Sequence, residues 1–289
     1  MGWLFDGIAD WFKQTLIEAI MAVFTGIFDS VNNQVTDIAV QVGQTPAGWN
    51  AGVFNMVRTL SETVVIPIAG MILTFVMCYE LIQLIIDKNN LGNFDTFNIY
   101  KWIFKTFVAV FILTNTFNIV MGVFEVSQSV INASAGLIAG ELELGGADMM
   151  AMLETRLQDM GIGELMGLFL EIQIVWLCMS AMAIVIFIIV WGRMIEIYIT
   201  VSIAPIPFST MANREWGQMG NNYLKSLLAL GFQGFLIMVC VAIYALLIAD
   251  IVTADNIHAA VWRVLGYTAL LCVILLKTGN MAKSIFGAH

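Results

Sequence analysis

An uncharged run near the middle of the chain, residues 172–192, limits the possible folds more than any other feature. A helix needs about 20 apolar residues to cross the hydrocarbon core of a bilayer, so this run is long enough to span a membrane. A second apolar run begins at Ile197, and one helix over residues 172–204 would be roughly 50 Å long, well beyond a core of about 30 Å. The helix must therefore either continue past the membrane or break near Arg193, where charged residues reappear.

Two prolines, Pro205 and Pro207, predict where this helix ends. Proline has no backbone N–H to donate, and it disfavours the helical conformation in the residue before it. Arg193 and Glu196 lie three residues apart before these prolines, so a helix places both side chains on one face. They are the strongest candidates for chemistry among the charged residues, but we interpret them as an interfacial ion pair at the end of the span.

The composition is that of an integral membrane protein. Hydrophobic residues make up 60% of the 289 residues, charged residues make up only 11%, and the mean hydropathy is +0.89. Ordinary soluble domains contain about 25% charged residues. The four cysteines lie in apolar runs without paired spacing, which favours free buried thiols over disulfides or metal ligands; they are Cys78, Cys178, Cys240 and Cys272. Neither His258 nor His289 has a partner at metal-ligand spacing, so we predict no metal or cofactor.

The beginning of the chain, residues 3–28, is amphipathic rather than uniformly apolar. Apolar residues recur at helical spacing, and the charged residues from Asp6 to Glu18 fall on the other side of the helix. This pattern predicts a helix that lies in the membrane interface. The alternative is a genuine first span whose charged residues face the protein. Residues 30–61 are predicted to form a polar connector with a turn at residues 45–48.

Five segments are predicted to cross the membrane as helices, which makes the chain an all-α polytopic membrane protein with an additional N-terminal interfacial helix. The spans cover about residues 63–86, 102–124, 172–192, 226–249 and 258–276. Residues 125–171 are acidic and too polar to span, although their first part, residues 126–139, is compatible with a short re-entrant or interfacial helix. We therefore divide the chain into an N-terminal helix with an extracellular connector, residues 1–62, and a five-span domain with an acidic external loop, residues 63–289.

The basic residues orient these spans, because Lys and Arg are enriched in cytoplasmic loops. With the N-terminus outside and the C-terminus inside, the cytoplasmic side receives eight of the 12 basic residues. These are Lys88, Lys101, Lys105, Arg193, Arg214, Lys225, Lys277 and Lys283. The exterior is then strongly acidic, and the cytoplasmic face is mildly basic.

No sequence motif indicates an enzyme. The chain has no glycine-rich phosphate loop, no Ser/His/Asp set, no metalloprotease helix and no intramembrane pair of carboxylates. In the fourth span, Gly231, Gln233 and Gly234 would let a neighbouring helix approach closely and form a hydrogen bond. The alternative for these three residues is simple tolerance of small side chains.

The order of these features resembles the TrbL family, the polytopic membrane subunits of type IV secretion and conjugation systems. The variants from Gram-positive mobile genetic elements are the most similar. The best-matched part extends from Arg193 to Gln233, with R-M-I-E-I-Y-I-T-V-S-I-A-P-I-P-F-S-T followed by E-W-G-Q-M-G-N-N-Y-L-K. The amphipathic start, the acidic loop between the second and third spans, and the long third helix that ends in A-P-I-P belong to the same pattern.

The resemblance implies a homo-oligomeric ring in a bacterial cytoplasmic membrane that passes a relaxase-bound single DNA strand outward. Its partners would be membrane lipids, other secretion-system membrane subunits and cytoplasmic ATPases. We expect the loop from Trp216 to Lys225 to be held in one geometry for these cytoplasmic partners. A small-solute transporter and a non-conducting assembly factor remain as alternatives from the residues themselves.

Overall fold

The structure is a computed structural model that describes residues 2–86, 96–138, 147–251 and 256–288. In these ranges the chain is almost entirely helical, and no strand is present. The helices are α1 (Gly2–Val42), α2 (Pro46–Trp49), α3 (Ala51–Leu60), α4 (Ile66–Ile86), α5 (Thr96–Thr114), α6 (Thr116–Ile138), α7 (Ala147–Asp159), α8 (Ile162–Ile203), α9 (Pro205–Thr210), α10 (Gly217–Ile251) and α11 (Ile257–Phe286). A π-helical segment, Ser61–Val65, joins α3 to α4.

Six helical segments among the described residues are long and apolar enough to cross a membrane. They are Gly7–Val42, Ala51–Ile86, Phe97–Thr114, Ile162–Ile203, Gly217–Ile248 and Ile257–Phe286. The prediction of an all-α polytopic membrane protein is therefore confirmed. The N-terminal segment is the addition to the five predicted spans, and by length and composition it qualifies as a first span.

The predicted polar connector over residues 30–61 is wrong, because most of it is helical. α1 continues to Val42, since Val31 and Ile38 extend the buried face of the helix beyond residue 28. The polar side chains do not break it; Gln34 donates to the hydroxyl of Ser30 one turn earlier, at 3.1 Å. At the predicted turn, residues 45–48, the N–H of Gly48 donates to the carbonyl of Thr45 at 3.0 Å as α2 begins, and Asn50 separates α2 from α3.

The π-helical segment has a local cause in Pro67. Within it the N–H of Ile66 donates to the carbonyl of Ser61, five residues earlier. Pro67 has no N–H to donate, and its ring collides with the carbonyl four residues earlier in a regular α-helix. The wider π-turn accommodates the proline and lets the helix continue through α4.

The predicted second span over residues 102–124 is also interrupted, at Asn115 between α5 and α6. The side chains of Thr114, Asn115 and Thr116 all donate to backbone carbonyls about one turn earlier, at 3.0, 2.9 and 2.9 Å. Such bonds compete with the helical ladder. The span therefore ends near Thr114, and α6 contains most of the helix predicted over residues 126–139. The acidic loop is largely helical where it is described, as α7 and the start of α8; residues 139–146 lie outside the described ranges.

α8 settles the question raised by the central run. It is continuous for 42 residues and does not break near Arg193. At 1.5 Å per residue it is about 63 Å long, so it extends well beyond a hydrocarbon core. It ends at Ile203, and Pro205 begins α9, so the predicted end at the prolines is confirmed.

The chain divides into two compact units. The first unit consists of Met1–Val42, Ala133–Val190 and Ile237–Lys277. Its interior includes the fully buried Ile20, Leu168 and Ile248, together with a hydrogen bond of 2.9 Å between the hydroxyls of Tyr244 and Thr268.

The second unit consists of Gly43–Asn132, Trp191–Leu236 and Thr278–His289. One of its apolar clusters includes Phe117, Val201 and Phe208, and another includes Leu73 and Leu113. The interruptions at the π-helical segment, Asn115 and Ala204 belong to this unit.

Candidate functional site

The most irregular part of the second unit is α9 with the turn that follows it, which we call the 205–216 segment. Pro205 and Pro207 are buried, as are the three residues after Pro207. The hydroxyls of Ser209 and Thr210 donate to carbonyls three residues earlier, at 2.6 and 2.8 Å. α9 contacts α4, α5 and the π-helical segment. The two prolines thus end α8 and also begin a short helix that is buried inside the second unit.

Asn213 organises the turn after α9. Its side-chain oxygen accepts the backbone N–H groups of Glu215 and Trp216, at 2.7 and 3.2 Å. Its amide nitrogen donates to one carboxylate oxygen of Glu80 at 2.9 Å, and Lys105 donates to the other at 2.5 Å. Because Asn213 is only 3% exposed, these bonds are shielded from solvent. One buried side chain therefore joins the turn to a charged pair between α4 and α5.

Trp216 fixes the end of the 205–216 segment against α4. Its indole stacks on the rings of Phe75 and Tyr79, with centroid distances of 5.7 and 5.3 Å and interplanar angles of 9° and 11°. The neighbouring carboxylate of Glu215 accepts from the hydroxyl of Tyr79 at 3.3 Å and from the amide of Gln83 at 2.9 Å. One face of the indole is thus already covered within this chain, and 36% of the residue remains exposed.

Arg193 and Glu196 do not form the predicted ion pair. The guanidinium of Arg193 points toward α10, where one terminal nitrogen lies 3.4 Å from the carbonyl oxygens of both Leu230 and Gly231. Its Nε has no hydrogen-bond partner among the described residues, and the side chain is 6% exposed. The carboxylate of Glu196 instead lies 3.7 Å from the ammonium of Lys283, with both side chains about half exposed. The correction follows from tertiary packing, which buries one member of the pair and leaves the other on the surface.

Two of the three residues singled out on α10, Gly231 and Gln233, contact other helices. A Cβ atom on Gly231 would come within 2.4 Å of the hydroxyl oxygen of Ser127, so α6 and α10 approach each other closely there. Gln233 is 8% exposed, and its amide donates to the hydroxyl of Thr278 at 3.3 Å. Gly234 is buried beside them. The arrangement satisfies a buried amide within a span, as helix packing in a membrane requires.

The remaining residues carry no cluster for a metal. Among the described residues, no group of three or more His, Cys, Asp and Glu side chains could hold a metal ion. His258 places its Nδ1 2.8 Å from the carboxylate of Glu171, and His289 lies outside the described ranges. The cysteines are free, but Cys78 is exposed and only Cys272 is buried, so the prediction of four buried thiols is wrong. In a chain of apolar helices, an apolar run does not show which residues face the protein.

A family model described as "TrbL/VirB6 plasmid conjugal transfer like protein" matches residues 31–205, more than half of the chain. The chain belongs to this family. It is accordingly a bacterial membrane protein of the conjugal-transfer class. No curated protein and no solved structure matches the chain. The family match ends at Pro205, so of the stretch from Arg193 to Gln233 only the part on α8 and the first proline lies inside it.

Two residues in and near the 205–216 segment have structural roles that the sequence analysis of this family member did not predict. Asn213 carried a detectable signal, because Asn after a helix commonly bonds to backbone groups two or three residues on. Gly220 is the second, since a Cβ atom there would lie 2.6 Å from the carbonyl oxygen of Pro207 and 2.1 Å from Cγ of Met211. Two glycines spaced by one helical turn, Gly217 and Gly220, were the available hint of close packing against α9. Lys225 was singled out at the end of a predicted loop from Trp216; it is exposed, but α10 begins at Gly217, so the loop prediction is wrong.

Proposed function

We propose that this chain is a non-enzymatic channel or scaffold subunit of a conjugative type IV secretion machine. In this proposal it assembles as a homo-oligomeric ring in the cytoplasmic membrane, with its N-terminus outside and its C-terminus inside. The observation that carries the proposal is the family match over residues 31–205 together with six apolar helices. The sequence of one chain does not predict a wide channel lined with charged residues. A ring of several chains is therefore needed to conduct a polymer.

The exposed end of the 205–216 segment, from Arg214 to Trp216, and the first turns of α10 are the proposed contact surface for other secretion-system subunits and cytoplasmic ATPases. Support comes from the way the segment is held, by Asn213 on one side and by Trp216 on the other. A surface held in one conformation loses little entropy when a partner binds. Exposed Lys225 and Arg214 lie in the same part of the chain, and their charge suits transient contact with a single DNA strand bound to its relaxase.

Replacement of both Pro205 and Pro207 by alanine tests this assignment. Ala204 already has helical dihedral angles, with φ −51° and ψ −37°, so alanine at 205 would allow α8 to continue through α9. The 205–216 segment would then lose its position against α4. We expect the variant to insert and oligomerise normally but to lose DNA transfer, measured as conjugation frequency in a deletion strain at matched membrane abundance.

Pro46→Ala provides a matched control, because Pro46 also begins a short helix. The residue before it, Thr45, is extended with ψ 155°, so no preceding helix can grow through this site. Moreover, Pro46 contributes its carbonyl to Tyr198, and alanine keeps that group. Conjugation at the wild-type frequency from the double-proline variant would contradict the assignment.

A second candidate is small-solute transport. The three interrupted helices of the second unit favour it, because transporters commonly build their binding sites from discontinuous helices. A deletion strain that still transfers DNA at the normal frequency would favour this candidate over the secretion role.

A further inference from the structure

A groove in the second unit lies between α5 and the end of α9, and we call it the α5–α9 groove. Its volume is about 380 Å³. Phe104, Val108 and Ile112 line it from α5, and Phe208 and Met211 line it from α9 and the residue after it. Lys105 is the charged residue that lines it within the described part of the chain. The groove is therefore apolar along most of its length and basic at one place.

The outer side of this groove belongs to a helix that is hardly covered within the chain. α5 qualifies as a membrane span, and Phe104 and Phe107 on it are each 68% exposed. In a bilayer such side chains meet lipid acyl chains. The side chains that line a gap beside them lose dispersion contacts unless an acyl chain fills the gap. The volume and the apolar lining of the groove suit one acyl chain.

The charges at the groove favour a particular headgroup. Lys105 has three N–H donors, and the carboxylate of Glu80 at 2.5 Å accounts for one of them. The other oxygen of that carboxylate accepts from Asn213, so both oxygens of Glu80 are occupied. Lys101 lies one turn before Lys105 on α5, is exposed, and pairs with no carboxylate among the described residues. Its ammonium lies 4.6 Å from the ring centroid of Phe97.

Lys101 and Lys105 lie one turn apart on the same face of α5, and among the described residues Glu80 pairs with Lys105 alone, so the charge of Lys101 remains for an external anion. We propose that the α5–α9 groove binds one anionic phospholipid, with an acyl chain along the apolar wall and the phosphate against Lys101 and Lys105. Basic pockets between membrane helices are known to hold anionic headgroups. A zwitterionic lipid fills the same groove, but its own cation is repelled by the lysines. The site thus selects by charge, and this inference does not depend on the proposed role in secretion.

The test uses the full chain in nanodiscs with equal amounts of phosphatidylglycerol and phosphatidylcholine, followed by native mass spectrometry of the retained lipids. We expect the wild type to retain phosphatidylglycerol at least about fivefold over phosphatidylcholine, the effect of roughly one lysine near an anionic group. Lys101→Gln should reduce this preference several-fold, since Lys101 is exposed and its replacement leaves the Glu80 pair intact. Ala109→Trp, which fills the groove from α5, should abolish retention of the bound lipid.

Lys225→Gln is the matched control, because it removes one exposed lysine from another helix of the same unit. It should leave the lipid preference unchanged. Equal retention of the two lipids by the wild type would overturn the proposal. So would an unchanged preference in Lys101→Gln, retention of the lipid by Ala109→Trp, or an equal loss of preference in Lys225→Gln.

Discussion

The two compact units accommodate polar groups among apolar helices in different ways. In the first unit, the hydroxyls of Tyr244 and Thr268 meet at 2.9 Å on helices that run without a break. In the second unit, the helical pattern is interrupted at Ser61–Val65, at Asn115 and at Ala204. In α10 and α11 the first unit therefore pairs side chains on an unbroken helical backbone, whereas three helical stretches of the second unit have an irregular backbone.

Irregular backbone is costly in a membrane, because lipid offers no hydrogen bonds to replace those of the helix. The second unit supplies replacements from its own side chains, such as the hydroxyl of Thr116 on the carbonyl of Ile112 and the amide of Asn213 on the turn after α9. Each replacement depends on one residue type in one position. We therefore expect the second unit to tolerate substitution less well than the first.

The largest effect is expected for Arg193→Glu in the second unit. The native guanidinium lies against two carbonyl oxygens of α10, and a carboxylate there would face acceptors without a donor. An uncompensated buried charge costs about 3–5 kcal/mol. The measurement is the free energy of unfolding of the protein in mild detergent, with unfolding monitored by circular dichroism.

Arg263→Glu in the first unit is the corresponding control, since Arg263 is exposed on α11. A surface substitution of this kind changes the unfolding free energy by no more than about 0.5 kcal/mol. Similar losses from the two variants would remove the distinction between the units.

An intermediate effect is expected for Gly220→Ala. The added methyl group would lie 2.6 Å from the carbonyl oxygen of Pro207, so α10 would have to move away from α9. Overpacking of this type costs about 1–3 kcal/mol. Gly266→Ala on α11 is the matched variant, because no atom lies within 4 Å of a Cβ there, and it should be neutral or stabilising. Thermal unfolding of both variants measures this difference in stability. A Gly220→Ala protein as stable as the wild type would show that the contact between α9 and α10 can relax.

The smallest effect is expected for Thr268→Val in the first unit. It removes the hydroxyl that pairs with Tyr244, and interhelical hydrogen bonds in membranes contribute about 0.6 kcal/mol on average. Thr74→Val is the control, because that exposed hydroxyl bonds only to Gly70 in its own helix. A loss from Thr268→Val as large as that from Arg193→Glu would mean that the first unit depends on its polar pair just as strongly. The same unfolding measurement serves for both threonines.

Some features of the second unit could be predicted from single residues in the sequence. The end of α8 was predicted from Pro205 and Pro207, because the missing N–H of proline acts within its own helix. The interruption at Asn115 was not predicted, although Thr114, Asn115 and Thr116 are consecutive in the sequence. Each can stay inside a helix, and the backbone of Asn115 still bonds to Phe111 and Ile119 at 3.2 and 3.0 Å, so only their combined side-chain bonds to earlier carbonyls mark the site. Likewise, Pro67 lies near the start of the first predicted span, but the sequence pattern did not predict the π-turn that accommodates it.

The sequence by itself determined that this chain is an all-α membrane protein, because the length and apolarity of a helix that can span a bilayer are local properties. It also placed the last three spans and the proline break after α8. The tertiary structure alone decided that Arg193 meets carbonyl groups on α10 while Glu196 meets Lys283, and that Trp216 stacks on α4. These partners lie far apart along the chain. In lipid both faces of a helix are apolar, so the sequence pattern does not show which face is covered by protein.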